Sequence, residues 1–313
     1  MAEKTEEKLV EVAEPQARPR LEDLDLPLGK RTRLHRLLYE HGPGNGTLLL
    51  LPIDHGLEHG PRDFFVNPPS GDPEYQLRLA REGGFSGIVF HIGIAQKYMR
   101  TSAGQVPLVL KLNGKTNLPS DEEALSPVES TVEDAVRLGA DAVGYTLYVG
   151  SPRQDEDFVQ LGEVRAECDR YAMPLIVWSY PRGRFVDGGP GRNSLYSVDY
   201  AARVASELGA DCIKLNFPQF EKGKKEHYPK EYRERAWTPE EMMRQVVQSA
   251  GKAMVLVSGG SKKSDDDLLE KARIALEAGS TGFLFGRNLW QRPFEDGLAI
   301  TQKLKELMRG FGA

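Results

Sequence analysis

Cysteine is nearly absent from this chain of 313 residues: there are two, Cys168 and Cys212. Two thiols are too few for a disulfide framework or a multi-cysteine metal site, and they suit a reducing cytoplasm. Long apolar runs are missing as well. No window of about 18 apolar residues occurs, and the opening MAEKTEEKLVEVAEPQARPR lacks a basic start followed by an apolar core. The protein is therefore expected to be cytoplasmic, without a secretory signal or a membrane span. An excess of positive charge is also lacking. Lys+Arg 41 against Asp+Glu 46 leave a net charge of -5 and a pI near 5.8, which argues against a general binder of nucleic acid or anionic membranes. Any anion must be held by a local arrangement. What is abundant is ordinary globular material, with 40% hydrophobic and 28% charged residues, so a disordered or fibrous chain is excluded.

Residues 1–30 carry eight acids, five bases and two prolines before Leu26, a composition that predicts a mobile arm outside the fold. From Thr47 onward, short apolar runs alternate with amphipathic stretches. The runs are 48–54, 87–91, 108–113, 142–149, 175–181, 212–217, 253–260 and 282–288. The segments between them open with Ser, Thr or Pro near acids and close on Gly, the pattern of capped helices. The phrase LGAD or EAGS recurs before strands, at Leu138–Asp141, Leu208–Asp211 and Glu277–Ser280. Continuous apolar strands imply a parallel sheet covered on its outside, and eight β-then-α units close into a barrel. The fold expectation is α/β, a single (β/α)8 TIM barrel over 31–313 preceded by the short arm. A doubly wound open sheet would need a glycine-rich loop after its first strand. Ile53 is followed instead by DHGLEHG, without GxGxxG spacing.

In such a barrel, function sits where the C-terminal strand ends converge. Asp54, His55, His91, Lys111, Asn113, Tyr145, Tyr148, Trp178, Tyr180, Arg182, Lys214, Ser258, Gly259, Gly260, Gly286 and Arg287 fall there. Lys214, within CIKLNF, has apolar neighbours on both sides. A shielded lysine either has a depressed pKa, and so a free amine able to form a Schiff base, or is held in a structural ion pair, here with Asp54 as partner. Lys111, within LVLKLNG, has the same pattern, and position alone does not separate the two. VSGGSKK and FGRN end the last two strands with glycines just before helices, the recurrent phosphate site of these barrels, where Arg287 adds a charge-assisted contact. His55 and His59 lie four apart, but on a glycine-interrupted loop with no further His or Cys cluster, so a metal-free site is expected. Trp178 and Tyr180 share one strand face; packing accounts for the first, while the second stands at the mouth as an acid or base. The segment 220–236 holds six bases and four acids, interleaved as on a solvated face, and is a candidate lid or oligomer contact.

Several of these phrases together resemble the class I fructose-1,6-bisphosphate aldolases of the archaeal type, which also occur in bacteria. The carriers are DHGLEHGPRDF, DPEYQLRLAREGGFSGIVFHIGIAQKY, LKLNGKT, LGADAVGYTLYVGS, VWSYPRG, IKLNF, SGGSK and GRNLWQR, spanning about Leu48 to Arg292. The resemblance implies that Lys214 forms the Schiff base, that Tyr180 transfers protons and that Asp54 belongs with them. It implies substrate contacts from Asp54, His55, His59, Asp63, Lys111, Trp178 and Arg182, with one phosphate on Ser258, Gly259, Gly260, Gly286 and Arg287. It further implies a cofactor-free, reversible cleavage of fructose 1,6-bisphosphate in glycolysis and gluconeogenesis, by a homo-oligomer of many barrels. The acidic arm and the long segment after Lys214 depart from the compact pattern.

Three other readings compete. A related lysine-dependent barrel enzyme, such as a 2-amino-3,7-dideoxyheptulosonate synthase, would share the lysine. A metal-dependent aldolase would use His55, His59 and His91, and a non-catalytic sensor would use the phosphate site alone.

Overall fold

All eight apolar runs form strands: β1 (Leu48–Pro52), β2 (Gly87–His91), β3 (Leu108–Lys111), β4 (Ala142–Val149), β5 (Leu175–Pro181), β6 (Cys212–Leu215), β7 (Met254–Ser258) and β8 (Gly282–Leu284). The computed structural model describes residues 17–260 and 264–312. Most of the expected arm, residues 1–16, and Ser261–Lys263 of the VSGGSKK phrase lie outside the described residues. Five strands stop short of their expected ends, because the last apolar or glycine residues turn into the mouth loops instead of continuing the ladder. Each strand pairs in parallel with its neighbours in sequence, and β8 pairs with β1 through Leu48↔Gly282, so the sheet closes. The fold is a (β/α)8 barrel.

Helices follow the strands in turn and lie outside the sheet. Their boundaries were written in cap residues. Thr131 and Thr238 each form a capping box, with Asp134 and Glu241, while Ser194 and Ser264 cap their helices singly. At the other ends, Gly139, Gly209 and Gly279 take φ of +68°, +95° and +95°, a backbone that only glycine adopts without cost. That is the reason for the recurrent LGAD and EAGS phrases.

Strands buried on both faces feed two cores. One lies between strands and helices, and includes Phe90, Leu110, Tyr145, Leu147, Val177 and Ile213. The second fills the barrel with Leu50, Val89, Val109, Ile176, Trp178, Leu256 and Leu284. Alternation along β5 sends Trp178 and Tyr180 inward and Ser179 outward, where its hydroxyl donates to Ala201 O at 2.8 Å. The Trp178 indole fits because position 144 is glycine: a Cβ there would lie 2.6 Å from the ring. By the same alternation Tyr145 points outward, away from the mouth where it was expected. Its hydroxyl donates to Asp157 Oδ1 at 2.6 Å, beneath the helix Gln154–Arg170.

The barrel floor is closed by the N-terminal segment. Leu21, Leu34, Leu37 and Leu38 are buried in the inner core, each contributing roughly 1.5 to 3 kcal/mol through removal from water. Lys30 is buried there and meets Asp211 at 2.9 Å and Asp169 at 3.2 Å. Burial alone would lower its pKa, but these carboxylates hold it above the usual value. The helix Leu28–His35 thus runs across the expected boundary at residues 30 and 31, and the part of the arm from Leu21 onward packs against the barrel. Among the described residues, no helix is long and apolar enough to cross a membrane.

Candidate active site

At the C-terminal ends of the strands, the loops enclose a cavity of about 510 Å³, within the range of small-ligand sites. Its described walls carry seven cationic side chains (Arg62, Lys115, Arg182, Arg192, Lys214, Lys271, Arg287) against four carboxylates (Asp54, Glu58, Asp63, Asp121). A protein of net negative charge has gathered its cations here, which is the local arrangement an anionic ligand requires.

Lys214 projects inward from β6, its ammonium 5.6 Å above the Trp178 ring and 5.1 Å above the Tyr180 ring. Burial, with Lys111 and Arg287 nearby, outweighs the pull of Asp54 and Glu58 and brings its pKa down to about 8. Lys111, on β3, is fully buried and does not line the cavity. Burial would lower its pKa too, but Glu58 Oε1 accepts from its Nζ at 2.7 Å and Asp54 Oδ2 lies 3.8 Å away. Those carboxylates hold the Lys111 pKa above the usual lysine value. One lysine is thus a fixed cation, and the other gives up its proton far more readily than an ordinary lysine.

Asp54 is buried beside both lysines. Burial would raise its pKa, but His55, Lys111, Lys214 and His91 hold it below the usual carboxylate range. His55 Nδ1 comes within 3.4 Å of Asp54 Oδ1 without forming a hydrogen bond, and burial lowers the imidazole pKa to about 4. His55 is consequently neutral at pH 7. His59 Nδ1 is 2.7 Å from Asp63 Oδ2, which also lies 3.8 Å from Arg287 Nη1. His91 is paired separately with Glu129. The His55 and His59 rings meet edge to face with centroids 5.1 Å apart, but among the described residues no three His, Cys, Asp or Glu side chains form a group that could hold a metal ion.

Tyr180 faces the cavity from β5. Burial, reinforced by Glu58 and Asp54, raises its pKa, so the phenol keeps its proton at neutral pH. Arg182 lies over its ring at 5.0 Å. Trp178 is fully buried beneath Lys214 and lies outside the cavity lining, so it floors the site. Across the mouth, Ser258, Gly259, Gly260, Gly286 and Arg287 line one wall together. Ser258 Oγ donates to Asn216 Oδ1 at 2.8 Å, and Asn288 Nδ2 donates to Gly259 O at 3.1 Å, which fixes that turn.

Sequence reasoning missed Glu58, Lys115, Asp121, Arg192, Asn193 and Asn216, all of which line the cavity. Glu58, Lys115 and Asn216 sit inside phrases that were singled out, DHGLEHGPRDF, LKLNGKT and IKLNF, while Arg192 and Asn193 sit together in DGGPGRN at 187–193. For Glu58 a signal existed, since it is four residues from Asp54 on one helical turn. Asp121, in a loop without periodicity, gave none. The segment 220–236 lies mainly outside the mouth, where Tyr232 Oη donates to Asp199 Oδ2 at 2.6 Å on the helix Leu195–Glu207.

Comparison with known proteins places this arrangement among others. The model of the DeoC/LacD family aldolases matches residues 48–292. A fructose-bisphosphate aldolase class 1 from Thermoproteus tenax is 45% identical over 266 residues, covering 85% of this chain and 90% of that protein. The enzyme of the same name from Halobacterium salinarum is 38% identical over 258 residues, with 81% and 89% covered. Among solved structures, an archaeal fructose-1,6-bisphosphate aldolase whose catalytic lysine is bound to a carbinolamine intermediate is similar. Its TM-score is 0.75 at 42% identity, with 88% of this chain and 100% of that one covered.

Proposed function

The chain belongs to the DeoC/LacD family of aldolases, and we propose that it is a Schiff-base-forming, class I fructose-bisphosphate aldolase whose nucleophile is Lys214. The observation that carries the assignment of the nucleophile is the divergence of the two lysines. Lys214 opens on the cavity with a pKa near 8, while Lys111 is locked as a cation.

The substrate is fructose 1,6-bisphosphate. One phosphate lies on Ser258, Gly259, Gly260, Gly286 and Arg287, whose backbone N–H groups and guanidinium match its oxygens. The other faces Arg182, Lys115 and Arg192. His55, His59, Asp63 and Asp54 hold the sugar hydroxyls, while Lys111 and Trp178 lie behind that surface and support Asp54 and Lys214 from below. The Lys214 amine attacks the C2 ketone to give a carbinolamine. Tyr180 donates its proton to the departing hydroxyl, water leaves and an iminium forms. The iminium draws electrons as the C3–C4 bond breaks, and the Tyr180 phenolate takes the C4 hydroxyl proton. Glyceraldehyde 3-phosphate departs. Tyr180 then protonates C3 of the enamine, water adds to the iminium and gives its proton back to the phenolate, and dihydroxyacetone phosphate is released from a neutral amine. Glu58 and Asp54 keep Lys111 charged throughout. The path needs no metal or organic cofactor, because the iminium supplies the electron withdrawal.

The enzyme works in the cytoplasm in glycolysis or gluconeogenesis, a placement supported by its two free, buried cysteines. It assembles as a homo-oligomer, a reading supported by exposed apolar side chains such as Phe65 (73%) and Val66 (64%). The test of the reaction is direct. Purified protein should release both triose phosphates from fructose 1,6-bisphosphate in a coupled assay, with the rate unchanged by EDTA. Activity lost with EDTA and restored by zinc contradicts the proposal.

A further inference from the structure

In a closed ring of eight strands, the loops after β3 and β5 face those after β7 and β8 across the mouth. Lys115 follows β3, and Arg182 and Arg192 follow β5; opposite them stand Ser258–Gly260 and Gly286–Arg287. The three cations converge on one carboxylate. Lys115 Nζ is 2.9 Å from Asp121 Oδ1, Arg192 Nη1 donates to Asp121 Oδ2 at 2.7 Å, and Arg182 Nε lies 3.8 Å from that same oxygen. Arg192 is further gripped by both oxygens of Asp187, at 2.5 and 2.6 Å.

The segment after β6 supports this loop from outside. Lys224 Nζ donates to Asp187 O at 3.2 Å, and Glu221 lies so close to Gly191 that a Cβ there would meet its Oε1 at 2.9 Å. The part of the chain that departs from the compact pattern thus holds the Arg192 loop over the mouth.

A carboxylate bridging two arginines and a lysine makes the contacts that two phosphate oxygens would make, since both groups present paired acceptors to the same donors. We propose that Asp121 is an internal stand-in for the second phosphate, displaced when a bisphosphate binds. Arg192 and its neighbouring cations then select a ketose phosphorylated at both ends over one phosphorylated only beside its ketone, and Asp121 moderates that preference because the second phosphate must displace it. This rests on the reading of the cavity as a sugar-phosphate site. A phosphate near neutral pH carries almost two charges and three acceptor oxygens, enough to outcompete a single carboxylate. A substrate lacking the second phosphate leaves Asp121 in place and gains nothing from these cations.

Steady-state cleavage of fructose 1,6-bisphosphate and of fructose 1-phosphate tests it in the intact protein, with Asp121→Asn and Arg192→Gln. Removing the competing carboxylate should raise the bisphosphate preference in kcat/KM about tenfold. Removing the guanidinium should lower it by about tenfold or more, the usual worth of a charge-assisted contact. A preference that stays within threefold in both variants overturns the inference, as does a fall in Asp121→Asn, which would make the carboxylate a mere anchor for its cations. If Asp121→Asn does not fold, Arg192→Gln carries the test alone. Should the parent protein cleave neither ketose, the aldolase reading fails instead, and the two failures are distinct.

Discussion

Lys111 and Lys214 stand over the same indole, their ammonium nitrogens 5.2 and 5.6 Å from the Trp178 ring, yet only Lys111 has a carboxylate within hydrogen-bonding distance, Glu58 at 2.7 Å. The pKa values of two lysines in near-identical sequence settings are thereby driven in opposite directions. The pair behaves as a division of labour: Lys111 supplies fixed positive charge, which helps keep Asp54 ionised and disfavours a second charge on Lys214.

The first consequence concerns pH. The ammonium form of Lys214 is not nucleophilic, and its pKa is lowered from 10.5 to about 8. The rate of Schiff-base formation in a single turnover should therefore climb by a factor of ~10 per pH unit below about 8 and level off above it. A rise centred near the ordinary lysine value would show that burial does not tune this amine.

Arg287→Ala should act mainly on binding. A charge-assisted phosphate contact is worth roughly 1.5 to 3 kcal/mol, so KM for fructose 1,6-bisphosphate should increase about tenfold to a hundredfold. The guanidinium also lies 3.8 Å from Asp63, so part of its charge is already spoken for and the lower end of that range is expected. An unchanged KM would put the phosphate elsewhere.

Tyr180→Phe removes a phenolic oxygen and leaves the ring that packs against Lys214 and Arg182. Cleavage should fall by about 10² to 10⁴, the usual contribution of a positioned acid or base. Attack by the amine does not need the phenol, so a covalent lysine adduct should build up and be visible by intact-protein mass spectrometry. Near-parental cleavage would reduce Tyr180 to a packing residue.

Much of this was legible in the chain because barrel strands and helix caps are local signals. Eight apolar runs, Thr and Ser caps, and glycine at the helix ends each follow from short-range chemistry. Strand alternation allowed the inward direction of Tyr180 without fixing the register, which the outward Ser179 hydroxyl settles in the structure. Tyr145 was misjudged because it was placed by its position near a strand end without applying that same alternation. The partners of Lys111 and the web around Asp121 were invisible for a different reason: Glu58 and Lys111 are 53 residues apart, and Asp121 and Arg192 are 71. Such pairs are fixed by closure of the ring, which no window of sequence contains. The N-terminal segment shows the same limit: the acidic composition of residues 1–30 hid the packing of Leu21, and nothing local in 31–40 told that Leu34, Leu37 and Leu38 seal the barrel floor.

The central claim is the identity of the nucleophile, and borohydride reduction in the presence of fructose 1,6-bisphosphate followed by peptide mapping addresses it most directly. The account predicts a reduced adduct on the peptide containing Lys214, with trapping and turnover both lost in Lys214→Ala while the thermal unfolding transition is retained. An adduct on Lys111, or trapping that survives in Lys214→Ala, would contradict it.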